Sequence, residues 1–487
     1  MGFLPTLAIV IFVLARPQSD GLSPSSDTPP PPDDGQYASD ITVMDGVKPL
    51  LPFRSTATPF EPFKTQPGPI GEQKLEPVFD DPLEPLMRPI RNTELWTRDN
   101  LGITWNIYYT LLYQSATRTV IDPNTNSTFG RSSGTGRLDL GLNWSIFDEP
   151  FLGHGQIGLL MRSGVIIGQP KTYQTAQAVG SVPISPNALG WGNDTSLCLA
   201  YWQQGVFDDR VVFTAGKIHP NQYIALSRLA NDESKQFVSG VFDGLNTLGT
   251  SLGNYAPGLS LQVVPVEQMY INTVVIDAEG GPNTGFQTVG NGSWWAAGQV
   301  GFVPEFKTES GEILKGNWAL MFAATNYGIV QSGQNLAAPN PGGVQALPPI
   351  SFNPLLLGAN LKTSNDQNGY GYGIMLEQDL PNEFRVMAEY GHSNSNLSPV
   401  EQAINVVFNL TSPFGRKSDL VGIGFNWSKP TSEYRSTHRE ETFMELFYRL
   451  QLTDSMQLTP DLQIVLTPAT GDPDPIVLFG LRLRTQF

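Results

Sequence analysis

The chain has 487 residues, of which 15% are charged and 10% aromatic, with 49 glycines, 40 prolines and a single cysteine, Cys198. A soluble globular domain carries roughly 25% charged residues, so something other than charge covers much of this surface, and one thiol excludes an intrachain disulfide framework. Lysine and arginine number 29 against 45 aspartates and glutamates, a net charge of −16 that leaves no basic face for nucleic acid.

In chain order, Leu4 to Ala15 is an apolar run of secretory-signal length, with Val13 and Ala15 small enough to precede a cleavage site. Residues 1–17 are therefore expected to be a signal segment. Residues 18–95, rich in Pro, Ser, Thr and Asp and including Pro29 to Pro32, show no apolar periodicity and read as a disordered or extended tether. From Trp96 the texture changes, and a folded unit is expected over 96–487, led in by the polar, helix-compatible residues Thr97 to Asn100.

Ile103, Trp105, Ile107, Tyr109 and Leu111 then alternate with Thr104, Asn106, Tyr108 and Thr110, the period of two of a strand with unlike faces. Leu138, Leu140, Leu142 and Trp144 alternate with Arg137, Asp139, Gly141 and Asn143 in the same way. The texture returns at 384–390, 421–427 and 444–452, and at the end Val477, Phe479, Leu481, Leu483, Thr485 and Phe487 oppose Gly480, Arg482, Arg484 and Gln486. Charges keep to one face throughout.

No run of ~18 apolar residues supplies a transmembrane helix after the first segment, so a chain of this kind crosses a membrane only as a closed barrel. Trp144, Tyr390, Trp427 and Tyr109 fall at or near expected strand ends, as an interfacial aromatic girdle requires and a soluble sandwich does not. Roughly 17 strand-like segments follow Trp96, Phe352 to Lys362 being the least regular, and single-chain bacterial barrels use even numbers. Spacers at 169–194, 230–257 and 331–349 alternate with tight turns such as Phe207 to Arg210. The expected fold is all-β: a transmembrane antiparallel barrel of 16 or 18 strands, integral to a bacterial outer membrane, with short periplasmic turns and long extracellular loops.

The lumen of such a barrel is lined by the polar phase. That phase carries Arg137, Arg162, Arg385, Arg449, Arg482 and Arg484 with Asp139, Glu377, Glu389, Glu445 and Asp461, and Trp202 and Trp295 are placed there as aromatic surfaces. Interleaved donors and acceptors of both signs suit neutral polyhydroxyl solutes better than ions of one sign. The expected substrate path is Arg137, Asp139, Arg162, Trp202, Arg385, Glu389, Glu445 and Arg449. Mutual neutralisation of these charges within the wall is the structural alternative for each.

The block Tyr201 to Arg210 (YWQQGVFDDR), then Ala215 to Lys217, Asn221, Tyr223, Ala230 to Glu233, Gln236 and Phe237, resembles the carbohydrate-selective porins of the OprB type. Glu441, Thr442, Glu445, Tyr448, Arg449, Gln451 to Thr453, Pro460 to Gln463 and Gly480 to Arg482 are similar to that family's last strands. The resemblance covers 96–487 and implies passive diffusion of glucose and related sugars past Arg and Glu side chains at a constriction. Trp202, Lys217, Asn231 and Phe237 belong to the matched block; His219 departs from it, standing where an Asp is expected. The other partners expected are outer-membrane lipid, the barrel-assembly machinery reading the strand that ends at Phe487, and a second copy in a homo-oligomer.

Other classes are set against this reading. The acidic balance suits a general or cation-preferring porin, and the tether suits a barrel that anchors something. An enzyme needs a nucleophile beside a base; of the four histidines only His392, among Ser and Asn residues in an expected loop, has polar company. The chain is read as no enzyme, with no cofactor and no Cys/His metal spacing.

Overall fold

The computed structural model describes residues 76–119, 121–122, 127–128, 130–149, 151–167, 179–181, 187–191, 193–249, 255–327, 368–431, 440–468 and 474–487. The expected signal segment, residues 18–75 of the expected tether, the spacer expected at 331–349 and the strand expected at Phe352 to Lys362 lie outside these residues.

The first element is a helix, α1 (Glu84–Leu101). Pro85 lies in its first turn, where a missing N–H costs nothing, Glu84 pairs with Arg88 and Arg91, and Gly102 ends it in the left-handed conformation at φ 65°. The helix thus begins well before Trp96. Ahead of it, Val78 and Phe79 donate backbone bonds to Leu452, and Glu76 donates to Ser418 at 2.9 Å while its carbonyl accepts from Arg416 at 3.0 Å. Residues 76–81 therefore form a strap across the turns at 412–419 and 452–455.

Sixteen strands close a ring: β1 (Ile103–Ala116), β2 (Ser132–Glu149), β3 (Gly153–Ile167), β4 (Thr195–Val206), β5 (Val211–Ile218), β6 (Ala256–Val266), β7 (Met269–Asp277) and β8 (Trp294–Phe302), then β9 (Ile313–Thr325), β10 (Gly369–Asp379), β11 (Phe384–Ser393), β12 (Val400–Thr411), β13 (Leu420–Pro430), β14 (Glu441–Gln451), β15 (Met456–Val465) and β16 (Ile476–Gln486). Every neighbouring pair is antiparallel. Closure is between the first and last strands, from Tyr108 opposite Gln486 to Ala116 opposite Leu478. One short strand, Glu305–Lys307, pairs only with β9 and lies outside the ring, whose sixteen strands are the lower of the two even numbers expected.

The burial pattern is that of a soluble protein turned inside out. In β10 the residues alternate buried and exposed, with Tyr370, Tyr372, Ile374 and Leu376 outward and Glu377 and Met375 inward. Phe322 at 62% exposure and Phe479 at 59% stand outside while Arg137, Arg482 and Glu377 have none. Only a hydrocarbon surround stabilises so many outward apolar rings, and ring closure leaves no unpaired strand edge in it. No helix among the described residues is long and apolar enough to cross a membrane.

Short turns join β2 to β3, β4 to β5 and β6 to β7, whereas the connections at the other end are mostly longer, placing the periplasm at the short-turn end. Trp144 lies near that end of β2, and Trp427 near the opposite end of β13, where its indole donates to Glu440 at 3.1 Å. Two placements differ from expectation. Tyr109 is mid-strand, because β1 runs on to Ala116. His392 is not in a loop but within β11, on the outward phase, its ring 5.3 Å from that of Tyr372.

Candidate pore constriction

The connection between β5 and β6 was expected to extend outside as a spacer from residue 230. It turns inward instead. Residues 219–249 are almost wholly buried within the ring, and their composition explains it: Ile224, Leu229, Phe237, Val241, Phe242, Leu245 and Leu248 are too apolar for a solvated loop.

One half of the ring is built to receive them. Met321, Met375, Met387, Ala403, Val407, Phe443 and Phe447, from β9 to β14, turn inward and pack on the segment. Phe237 meets Phe447 edge-on at 4.9 Å and Phe242 in a tilted contact at 4.6 Å. A Cβ on Gly373 would overlap Leu245, and one on Gly424 would approach Phe242 to 2.5 Å, so these inward glycines make the groove.

Polar groups fix the backbone of the segment in place. Glu377 accepts from the Ser227 hydroxyl at 2.9 Å, from the Arg228 backbone N–H at 3.0 Å and from its guanidinium, and Arg228 also pairs with Asp379 at 3.0 Å. Glu445 accepts from the N–H groups of Val238 and Ser239. Asn272, Asn405 and Asn409 donate to the carbonyls of Tyr223, Val241 and Leu229. His219 caps the first turn, its Nδ1 accepting from Asn221 N–H at 3.1 Å, a task a carboxylate performs equally well.

The tip of the segment meets the other half of the ring, and there the charges converge. Glu233 lies 2.6 Å from Arg137 and 3.7 Å from Arg162. Asp139 bridges the same two arginines, at 2.9 Å and 2.8 Å. Arg162 also donates to the Tyr255 hydroxyl and lies 5.5 Å from the Trp191 ring, and Trp191 and Tyr255 meet edge-on at 5.7 Å. Burial alone would raise the Glu233 carboxyl, but Arg137 and Arg162 outweigh it and hold it below the usual range. Burial lowers Lys235 to about 7, against the attraction of Asp232, and raises Asp243 to about 8, with Glu233 adding to it.

The structure thus sorts the residues expected along the path. Arg137, Asp139 and Arg162 are brought together where the tip of the inward segment meets the wall. Glu445 holds the inward segment, and buried Glu389 accepts from Asn405 at 3.2 Å behind it. Arg385 pairs with Asp379 at 3.5 Å near the short-turn mouth. Arg449 is 3% exposed and has no ion pair among the described residues. Trp295 faces inward but is fully buried, its indole donating to the Leu248 carbonyl at 3.0 Å.

Trp202 is a correction: it faces outward. A bulge sets Leu160 opposite Leu199 but Met161 opposite Leu197, leaving Cys198 as the extra residue. One extra residue reverses every later side chain of the strand, so Tyr201 and Gln203 turn inward and Trp202 packs with Phe147 at 5.8 Å outside. Glu233 was not foreseen as a site residue, although it lies in the matched block. The signal was an acidic pair, Asp232 and Glu233, inside an otherwise apolar connection.

Residues 166–487 match the family of carbohydrate-selective porins, OprB family. The high-pH structure of Pseudomonas putida OprB is 14% identical over 82% of this chain and 97% of that chain, with a TM-score of 0.61. Its low-pH structure is 11% identical over 82% and 96%, at 0.46, and a mutant porin of Rh. blastica is 11% identical over 79% and 100%, at 0.44. No curated protein matches. The first likeness shares the barrel fold; the family match rests on the sequence of the barrel itself, and by it this chain belongs to the OprB family of carbohydrate-selective porins, as an integral β-barrel of the bacterial outer membrane.

Proposed function

We propose that small neutral sugars, glucose and its relatives, diffuse passively between the tip of the inward segment and the wall formed by β1, β2, β3 and β16. The observation that carries this reading is Glu233 facing Arg137 and Arg162 beside the edge-on pair of Trp191 and Tyr255. A sugar in transit exchanges water for fixed hydrogen-bond donors and acceptors, and its apolar ring face for aromatic surface. Guanidinium and carboxylate groups within one eyelet supply both kinds of bond without one net sign. Arg385, Glu389 and Glu445 contribute to the path through the segment they hold or the mouth they line.

The purified protein in a planar bilayer is expected to give a steady current that glucose or a disaccharide partly blocks. Glu233→Gln should weaken that block, and absence of block by every sugar tried would defeat the reading. The alternative of a general or cation-preferring pore predicts a reversal potential set by cations in a salt gradient and no dependence on sugar. The same reading includes lipid against the outward apolar face, assembly machinery engaging β16, a homo-oligomer, and a chain divided at 1–17, 18–95 and 96–487 into signal segment, tether and barrel. A truncation removing the tether that leaves sugar flux intact but releases the barrel from the cell wall would make that segment an anchor.

A further inference from the structure

Three arginines of the wall are left over from the constriction. Arg482 and Arg484 stand on the inward phase of β16, opposite Thr459 and Gln457 of β15. The register of β14 with β15, Leu450 opposite Leu458, puts Arg449 level with Thr459 and so in one row with Arg482. Strands are about 4.8 Å apart and alternate residues about 7 Å, so three long side chains from these positions can converge on one small group.

Their partners do not satisfy them. Arg482 gives Nη1 to the carbonyls of Glu233 and Gln236, each at 2.8 Å, and Arg484 lies over the Tyr108 ring at 4.0 Å. Yet Nε of Arg449, and both Nε and Nη2 of Arg482 and of Arg484, meet no acceptor among the described residues, although the three side chains are at least 97% buried. The neighbouring acids Asp232, Glu445 and Asp461 attract these guanidinium groups but form no hydrogen bond to their free N–H groups, and one oxygen of Asp461 is itself left without a partner. Asp232 accepts from Ser234 and pairs with Lys235, Glu445 accepts from the inward segment, and Asp461 accepts from Gln463 at 3.1 Å. Buried guanidinium donors without acceptors are costly, and in a chain of net charge −16 this concentration of cations is local.

We propose that Arg449, Arg482 and Arg484 form an oxyanion subsite on the lumen wall, which takes a phosphate group, either free or carried by a sugar. Forked N–H donors on several arginines match the oxygens of a tetrahedral anion, whereas chloride fills the same donors poorly. The hydroxyl of Thr110, buried and without a partner between Arg484 and Arg137 in the register, is a further donor on the same wall. The subsite adds to the neutral-sugar reading and assumes only that the barrel conducts.

The test uses the full chain in a planar bilayer with chloride as the carrier, adding inorganic phosphate, glucose 6-phosphate or glucose to one side. Phosphate is expected to reduce the current in a saturating way, with the half-blocking concentration rising about tenfold or more in Arg482→Gln and in Arg484→Gln. Lys307→Gln, on the short strand outside the ring, should leave it unchanged. Heat-modifiable migration and retained glucose block identify variants that have folded. Block by both phosphate and glucose 6-phosphate assigns the site to phosphate groups in general, and block by phosphate alone assigns it to the free ion. If phosphate acts no differently from chloride while glucose still blocks, the subsite does not exist and the sugar reading stands; if neither blocks, both fall.

Discussion

Lys235 sits at the tip of the inward segment beside Asp232, with Arg484 and Arg449 as like charges, and burial brings it to about 7. In an unfolded chain a lysine titrates near 10.4, so between about pH 7 and pH 10 the unfolded state binds the extra proton and this group's contribution to stability rises with pH. Below 7 the folded state carries the buried charge and the contribution is lost. The same titration removes a positive charge from the lumen, so anion over cation permeability should fall as pH rises through neutrality. Reversal potentials on either side of pH 7 measure it, and Lys235→Gln should flatten the response; an unchanged slope in that variant would move the titration to Asp243, which burial raises to about 8. At this scale the set of lumen charges was legible because alternation delivers them to one face. Their pairings were not, since Glu233 reaches Arg137 only through the course of the inward segment, and one bulge beside Cys198 was enough to turn Trp202 to the wrong side.

The inward segment is the element on which the proposed constriction depends, and its seat is testable apart from its charges. Gly391→Leu places a side chain where Thr247 packs, and Gly373→Leu one where Leu245 packs. Both are expected to lift the segment from the wall, raising single-channel conductance and weakening sugar block while the barrel still assembles. Phe237→Ala removes two aromatic contacts, a change that costs about 3–5 kcal/mol in a packed core, and should act in the same direction. Glu377→Gln takes the charge from a buried knot with Arg228; a partner left unpaired in such a knot costs about 3–5 kcal/mol, so noisier, larger currents are expected. Conductance equal to that of the unaltered chain in all four would show that the segment does not set the narrowest point. Strands were legible as elements because their period is two, whereas the segment's course was not: its glycines and asparagines read as an outside spacer, and its apolar residues do not alternate. α1 was hidden by Pro85 and Pro89, which read as coil although the first lies in the opening turn, where a helix tolerates it.

For the whole molecule, ring closure between β1 and β16 makes the barrel a single hydrogen-bonded circuit. Unheated protein in detergent is therefore expected to migrate faster on a gel than boiled protein, with a strand-dominated circular dichroism spectrum that persists until the shift occurs. Equal migration before and after boiling would argue against a closed ring. The fold at this scale was the most legible feature, since a hydrocarbon surround demands the apolar exterior, and antiparallel closure of the first strand on the last demands an even strand number. The ring of sixteen strands is one of the two even numbers expected, with one short strand pairing outside it.

The strap at 76–81 bears on how load enters this molecule. Its bonds run from Glu76 to Ser418, from Arg416 to Glu76 and from Val78 and Phe79 to Leu452, so tension drawn along the chain ahead of Glu76 is taken up first by two turns on the far side of the closing seam. β1 would feel that tension only after the strap had peeled away. A barrel pulled from its amino-terminal side is in this way guarded against unzipping at the seam between its first and last strands.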